Sequence, residues 1–160
     1  VAWMVALSSK EQPTVIVTSR QALPQLTPED LADHPAHRGG YVLVDSDGLP
    51  DAILVATGSE VALAVDAAAA LSGAGIAMRV VSLPSWSLFE AQPAAYRASV
   101  LVPGVPTVSI EAGTTIGWAK YADASIGLDH FGASAPGPVL FEKFGFTVEA
   151  VVAQVKSILE

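Results

Sequence analysis

The sequence predicts an α/β fold: a three-layer sandwich in which a mostly parallel sheet, with one antiparallel edge strand, lies between layers of helices. Three observations predict it. Residues 52–56 form a continuous apolar run, Ala-Ile-Leu-Val-Ala, the pattern of a strand buried on both faces. Val61, Ala64, Val65, Ala68 and Leu71 follow at helical spacing, one apolar stripe of an amphipathic helix. Strand-like and helical runs then keep alternating along the chain, as they do in βαβ units.

Composition limits what such a fold can do. Of 160 residues, 51% are hydrophobic and 15% charged, so a packed core is expected rather than disorder. Sixteen acidic against eight basic residues give a net charge of -8, which argues against a nucleic-acid partner, since that needs a basic face. No apolar run reaches the ~18 residues of a membrane-spanning helix, so no membrane partner is expected, and a cytoplasmic protein is. The absence of cysteine excludes disulfides, thiolate metal sites and a Cys nucleophile. The chain starts at Val1 with neither an initiator Met nor a signal-like segment, and we expect a piece of a longer protein.

Residues 1–7 look like the tail of a helix. Thr14-Val15-Ile16-Val17-Thr18 is β-branched throughout and follows Pro13, which predicts a strand. One strand makes no core, so its sheet should lie upstream. Residues 22–40 hold three prolines and the Gly39-Gly40 pair. They read as a linker, with a helical turn starting at Thr27-Pro28-Glu29-Asp30. A short strand over 41–45 should run antiparallel to the 52–56 strand at a sheet edge, because the connection is short. Thr57 and Glu60 have the spacing of a capping box. Glycines 73 and 75 stop the helix. Strands are expected over 77–83, 107–111 and 125–128, and short helices over 85–90, 93–99 and 116–121. Residues 129–138 read as a loop. Thr147 caps a last helix, with Phe146 and Val151 as a hydrophobic staple and a stripe of Val148, Val151, Val152, Val155, Ile158 and Leu159.

In open α/β sheets, ligands sit beyond the carboxyl ends of the strands, which directs attention to a few residues. Thr57-Gly58-Ser59-Glu60 opens a helix and could hold an anion, but Glu60 already puts a negative charge there. No Gly-x-Gly-x-x-Gly or Walker lysine motif is present. His34 and His37 have metal-ligand spacing without a third partner. His130 lacks an orienting group. Asp45-Ser46-Asp47-Gly48 begins like a calcium loop, but Ala56 stands where the closing Glu belongs, so it reads as a turn. Glu111 ends an apolar strand, either as a site carboxylate or as a cap for the turn at Gly113. Arg20 ends the Thr14 strand. Its fork suits a phosphate or carboxylate, and a surface ion pair is the plainer alternative.

Six runs taken together resemble transketolase, over its C-terminal domain and the end of the preceding pyrimidine-binding domain. They are residues 18–24 (TSRQALP), 54–61 (LVATGSEV), 80–86 (VVSLPSW), 109–113 (SIEAG), 131–136 (FGASAP) and 142–147 (EKFGFT). The resemblance covers nearly the whole chain. It implies residues 1–23 as the tail of the preceding domain, 24–40 as linker and 41–160 as the C-terminal domain. It further implies a homodimeric enzyme that uses thiamine diphosphate with Mg or Ca and moves a two-carbon ketol unit between sugar phosphates. The family's Ser-Arg-Gln motif matches Ser19-Arg20-Gln21, which implies that Arg20 binds the substrate phosphate. The family's Gly-Asp-Gly to Asn-Asn cofactor motif is not in the chain. Catalytic and cofactor residues are therefore expected elsewhere in the parent, and this stretch alone is expected to be inactive, with a role in structure and assembly. Within the same cofactor family, a deoxyxylulose-phosphate synthase or a 2-oxoacid dehydrogenase β subunit is the alternative. Outside it, the alternative is a freestanding α/β ligand-binding module.

Overall fold

The computed structural model describes residues 1–27 and 34–160. The helical turn expected from Thr27-Pro28-Glu29-Asp30 therefore lies outside the described residues. A short helix, α1 (Ala2–Ser8), opens the chain. A 3-10 turn (Pro35–Arg38) precedes the sheet. The main body then follows in the order β1 (Tyr41–Val44), β2 (Ala52–Ala56), α2 (Glu60–Gly73), β3 (Met78–Ser82), α3 (Trp86–Glu90), α4 (Ala94–Val100), β4 (Thr107–Ile110), a 3-10 turn (Trp118–Lys120), β5 (Ala124–Ile126), α5 (Gly137–Lys143) and α6 (Val148–Leu159).

The five strands lie in the order β1-β3-β2-β4-β5. All pairs are parallel except β1 with β3. β2 is central, and every one of its residues is buried. Its side chains alternate between two cores, as the two-residue period of a strand requires. Ala52, Leu54 and Ala56 face a core closed by α2 and α6, with Leu71, Phe146, Val151 and Val155. Ile53 and Val55 face a second core with Phe89, Val100 and Trp118. The sheet therefore lies between two helical layers, as the alternating pattern predicts.

Four expectations need correction. The Thr14 strand does not form: residues 14–18 have no strand partner, and Val15 and Val17 stand out in solvent. Its β-branched residues favour extension, but a strand needs a neighbour to bond. β1 is the antiparallel edge strand, yet it pairs with β3 rather than β2. The connection over residues 45–51 carries the chain past β3 to the far side, where Arg79 of β3 takes Asp45 in a two-pronged ion pair of 2.8 and 3.0 Å. The capping box does not close either. Ser59 already has helical backbone angles, no side chain caps α2, and the Ser59 hydroxyl donates to the Glu60 carboxylate instead. Finally, α5 falls on residues that carry no helix signal beyond Pro138. That proline occupies an early helical position, where its missing N–H costs nothing. Smaller differences are a 3-10 turn where a short helix is expected near residue 118 and an exposed Leu159 at the end of the last stripe.

The last helix forms as its sequence dictates. Thr147 accepts from the Ala150 N–H at 3.2 Å, and Phe146 and Val151 are buried in the same core. The Gly39-Gly40 pair holds the entrance to the sheet. Gly39 has φ of 85°, and a β-carbon there would collide with Phe89 N and Ser85 O. Its carbonyl accepts from Ser85 N at 2.9 Å, which docks the chain onto the start of α3.

Candidate functional site

The chain leaves β2 through α2 toward β3 on one side, then returns past β2 to β4 on the other. The carboxyl ends of β2 and β4 thus flank the switch point of the sheet, where open α/β folds keep their ligand crevice. In the parallel register, Ala56 lies opposite Ile110. The turn before α2 and the turn after β4 therefore leave the sheet side by side, carrying Glu60 and Glu111. Glu60 is 3% exposed. Its one side-chain partner is the Ser59 hydroxyl, and among the described residues no ion pair forms with it. Burial raises Glu111 to a pKa of about 7, and the charge of Glu60 adds to the effect. Glu111 folds back on the turn at Gly113, where a β-carbon would touch its Oε1 at 3.4 Å. Glu111 can hold a proton near neutral pH at this switch point, and the neighbouring carboxylates are unfavourable to a phosphate.

Arg20 lies elsewhere, exposed on the segment before the linker. It borders an open cleft of about 800 Å³. Arg20, Gln21, Ala22 and Leu23 make one wall. The start of α2 (Ser59, Leu63), α5 (Phe141, Glu142) and the start of α6 (Thr147, Val148) make the other. Ser59 adjoins Glu60, so this cleft begins beside the switch point. Its lining is mostly apolar, with Arg20 and Glu142 as the charged residues. An arginine at the rim of such a cleft can meet an anionic group while the apolar wall excludes water.

The histidines take up local work. His34 Nδ1 accepts from Ala36 N at 3.2 Å at the start of the first 3-10 turn, and His37 Nδ1 lies 2.8 Å from the His34 carbonyl. His130 stacks edge-on against Phe144. Among the described residues, no group of three or more His, Cys, Asp or Glu side chains could hold a metal ion. Asp45-Ser46-Asp47-Gly48 is a turn, with the Ser46 hydroxyl donating to the Gly48 carbonyl and Asp45 given to Arg79.

Two polar clusters escape sequence reasoning. Glu90 accepts from Tyr121 OH and Arg97 Nη1, both at 2.8 Å, and pairs with Lys120 at 3.1 Å. The tyrosine and lysine hold the Glu90 carboxyl below its ordinary value, and burial raises Tyr121. Asp129 accepts from Thr114 Oγ1, Thr115 Oγ1 and Thr115 N, which lowers its pKa. These partners are 7 to 31 residues apart, and no local spacing marks them.

The comparisons with known proteins agree with this architecture. Residues 39–147 match the family model described as the transketolase-like C-terminal domain. The transketolase of Halalkalibacterium halodurans is 49% identical over 99% of this chain, which spans 25% of that protein. The solved transketolase from Leishmania mexicana superposes with a TM-score of 0.85 at 46% identity, covering 99% of this chain and 23% of the other. A Pichia stipitis transketolase in complex with sedoheptulose 7-phosphate superposes with a TM-score of 0.91 at 44% identity, again covering 99% and 23%. The chain thus spans about a quarter of the length of the relatives it matches. With the C-terminal-domain match over residues 39–147 and near-half identity across almost every residue, the chain belongs to the transketolase family.

Proposed function

We propose that this chain works as the C-terminal part of a transketolase, a transferase that moves a two-carbon ketol unit between phosphorylated sugars. The observation that carries the reading is the 49% identity to a transketolase over 99% of the chain. The Pichia stipitis relative bound to sedoheptulose 7-phosphate supports a sugar phosphate as substrate. Residues 1–23 are read as the tail of the pyrimidine-binding domain, 24–40 as the linker and 41–160 as the C-terminal domain. The parent is read as a cytoplasmic homodimer.

Within it, Arg20 is the residue assigned to substrate, through a two-pronged grip on the sugar phosphate. Thiamine diphosphate with Mg or Ca, when bound in the parent, would supply the carbanion chemistry. The described residues here do not fit that group, since they bring no metal-ligand cluster together and the Gly-Asp-Gly to Asn-Asn motif is not in the sequence. No step of the reaction is therefore assigned to residues 41–160. Their role in this reading is structure and assembly.

The test is Arg20→Gln in the full-length enzyme that carries this chain. KM for a phosphorylated acceptor aldose should rise by about 10-fold or more, the scale of a lost charge-assisted hydrogen bond of ~1.5–3 kcal/mol. KM for an unphosphorylated acceptor should not change. Equal effects on both acceptors would remove Arg20 from phosphate binding.

A further inference from the structure

Resting on the reading of Arg20 as the phosphate ligand, we propose that the C-terminal domain positions that arginine. Leu63 of α2 and Phe141 of α5 seat the Arg20–Leu23 segment through Leu23, and so set the enzyme's affinity for phosphorylated substrates. Leu23 and Leu63 are the positioning residues, and Arg20 is the one that touches substrate.

The segment needs such a seat. Among the described residues, no backbone–backbone hydrogen bond holds residues 10–27. Neither strand nor helix fixes Arg20 there. What the segment does have is a shared cleft. Arg20 and Leu23 line one wall, and Leu63, Phe141 and Val148 line the facing wall. Leu23 is 44% exposed where Val17, outside the cleft, is 89% exposed. The facing wall is itself anchored: Leu63, Phe141 and Val148 pack on the core beneath α2 and α6, and Phe141 stacks on Phe146 at 5.3 Å. An apolar wall anchored on the core thus faces an otherwise unbonded segment across the cleft, three residues from the arginine. Guanidinium–phosphate pairing needs its two hydrogen bonds in register. Small displacements of a positioned group cost binding steeply. Seating Leu23 therefore tunes Arg20 without any contact between the wall and the substrate.

The experiment is steady-state kinetics on the full-length transketolase that carries this chain, with a phosphorylated and an unphosphorylated acceptor aldose. Leu23→Ala and Leu63→Ala should each raise KM for the phosphorylated acceptor on the order of 3- to 10-fold. They should leave kcat and the unphosphorylated KM as they are. The double variant should be no worse than the worse single one, because both changes release the same segment. Leu63→Met should restore the parent value. Leu23 is at the surface, so its variant keeps the test valid if Leu63→Ala fails to fold. If Arg20→Gln shows no preference between acceptors, the phosphate reading falls, and this inference with it. If Arg20→Gln is selective while Leu23→Ala leaves the phosphorylated KM unchanged, the inference alone is overturned. Equal losses on both acceptors would also overturn it.

Discussion

Glu111 shows what a single residue can contribute here. It sits half-buried at the end of β4, beside the buried Glu60, and keeps its proton up to a pH of about 7. In the unfolded chain it ionises near its ordinary value of 4.5. The folded state therefore binds the proton more tightly. Its contribution to stability is complete below pH 4.5 and is lost as pH rises through 7. Glu111→Gln should flatten that decline and leave the variant more stable than the parent at pH 8. Urea unfolding midpoints from pH 4 to 8 would show it, and parallel curves for the two proteins would contradict it. Glu111 was visible in the sequence as a carboxylate at a strand end. Its partner was not, because Glu60 read as half of a capping box. The Thr57–Glu60 spacing is local, whereas the approach of Glu60 to Glu111 depends on β2 lying beside β4. Glu90 with Tyr121 is the same case: the pair is 31 residues apart and joined only by the fold.

At the scale of elements, local chemistry decides where helices start, and it can be tested directly. Thr147→Ala removes the hydroxyl that accepts from Ala150 N and should cost about 1 kcal/mol, read as a lower urea midpoint with an unchanged slope. Gly39→Ala sets a side chain at positive φ against the backbone of Ser85 and Phe89. It should cost about 1–3 kcal/mol. A loss within 0.3 kcal/mol of zero would show that the docking of residues 39–40 on α3 is dispensable. Elements whose signals are local are legible: β2, β3, α3, α4 and α6 fall where period, caps and prolines put them, and α2 follows its apolar stripe but starts at Glu60, past the expected Thr57 cap. Elements that depend on partners were not. Thr14–Thr18 has every strand residue but no neighbour to bond. β1 reads as an antiparallel edge strand, which it is, but nothing in the sequence shows that it pairs with β3, where Arg79 grips Asp45. α5 hides behind a Gly-Pro pair that reads as loop in isolation and as a helix start in context.

For the whole molecule, the sheet carries both cores and the N-terminal segment lies outside them. Hydrogen exchange should report this division. The amides of β2 and β4, buried between two cores, should exchange slowest, by opening of the entire sheet. Residues 10–27, without backbone partners among the described residues, should exchange within the dead time in the isolated chain. Slow exchange at Val15–Val17 would mean that this segment pairs with a second copy. The fold class was readable from the sequence because β2 is buried on both faces and its apolar run says so. The placement of Arg20 over the cleft was not readable, because α2, α5 and α6 come together there only through the sheet.

The central claim is that this chain completes a transketolase. Ketol transfer from a ketose phosphate to an aldose phosphate, measured for the full-length protein that carries this chain and for the 160 residues alone, tests it most directly. We predict thiamine-diphosphate-dependent transfer by the full-length protein and none by the isolated chain. A full-length protein without ketol transfer, or transfer by the 160 residues alone, would contradict it.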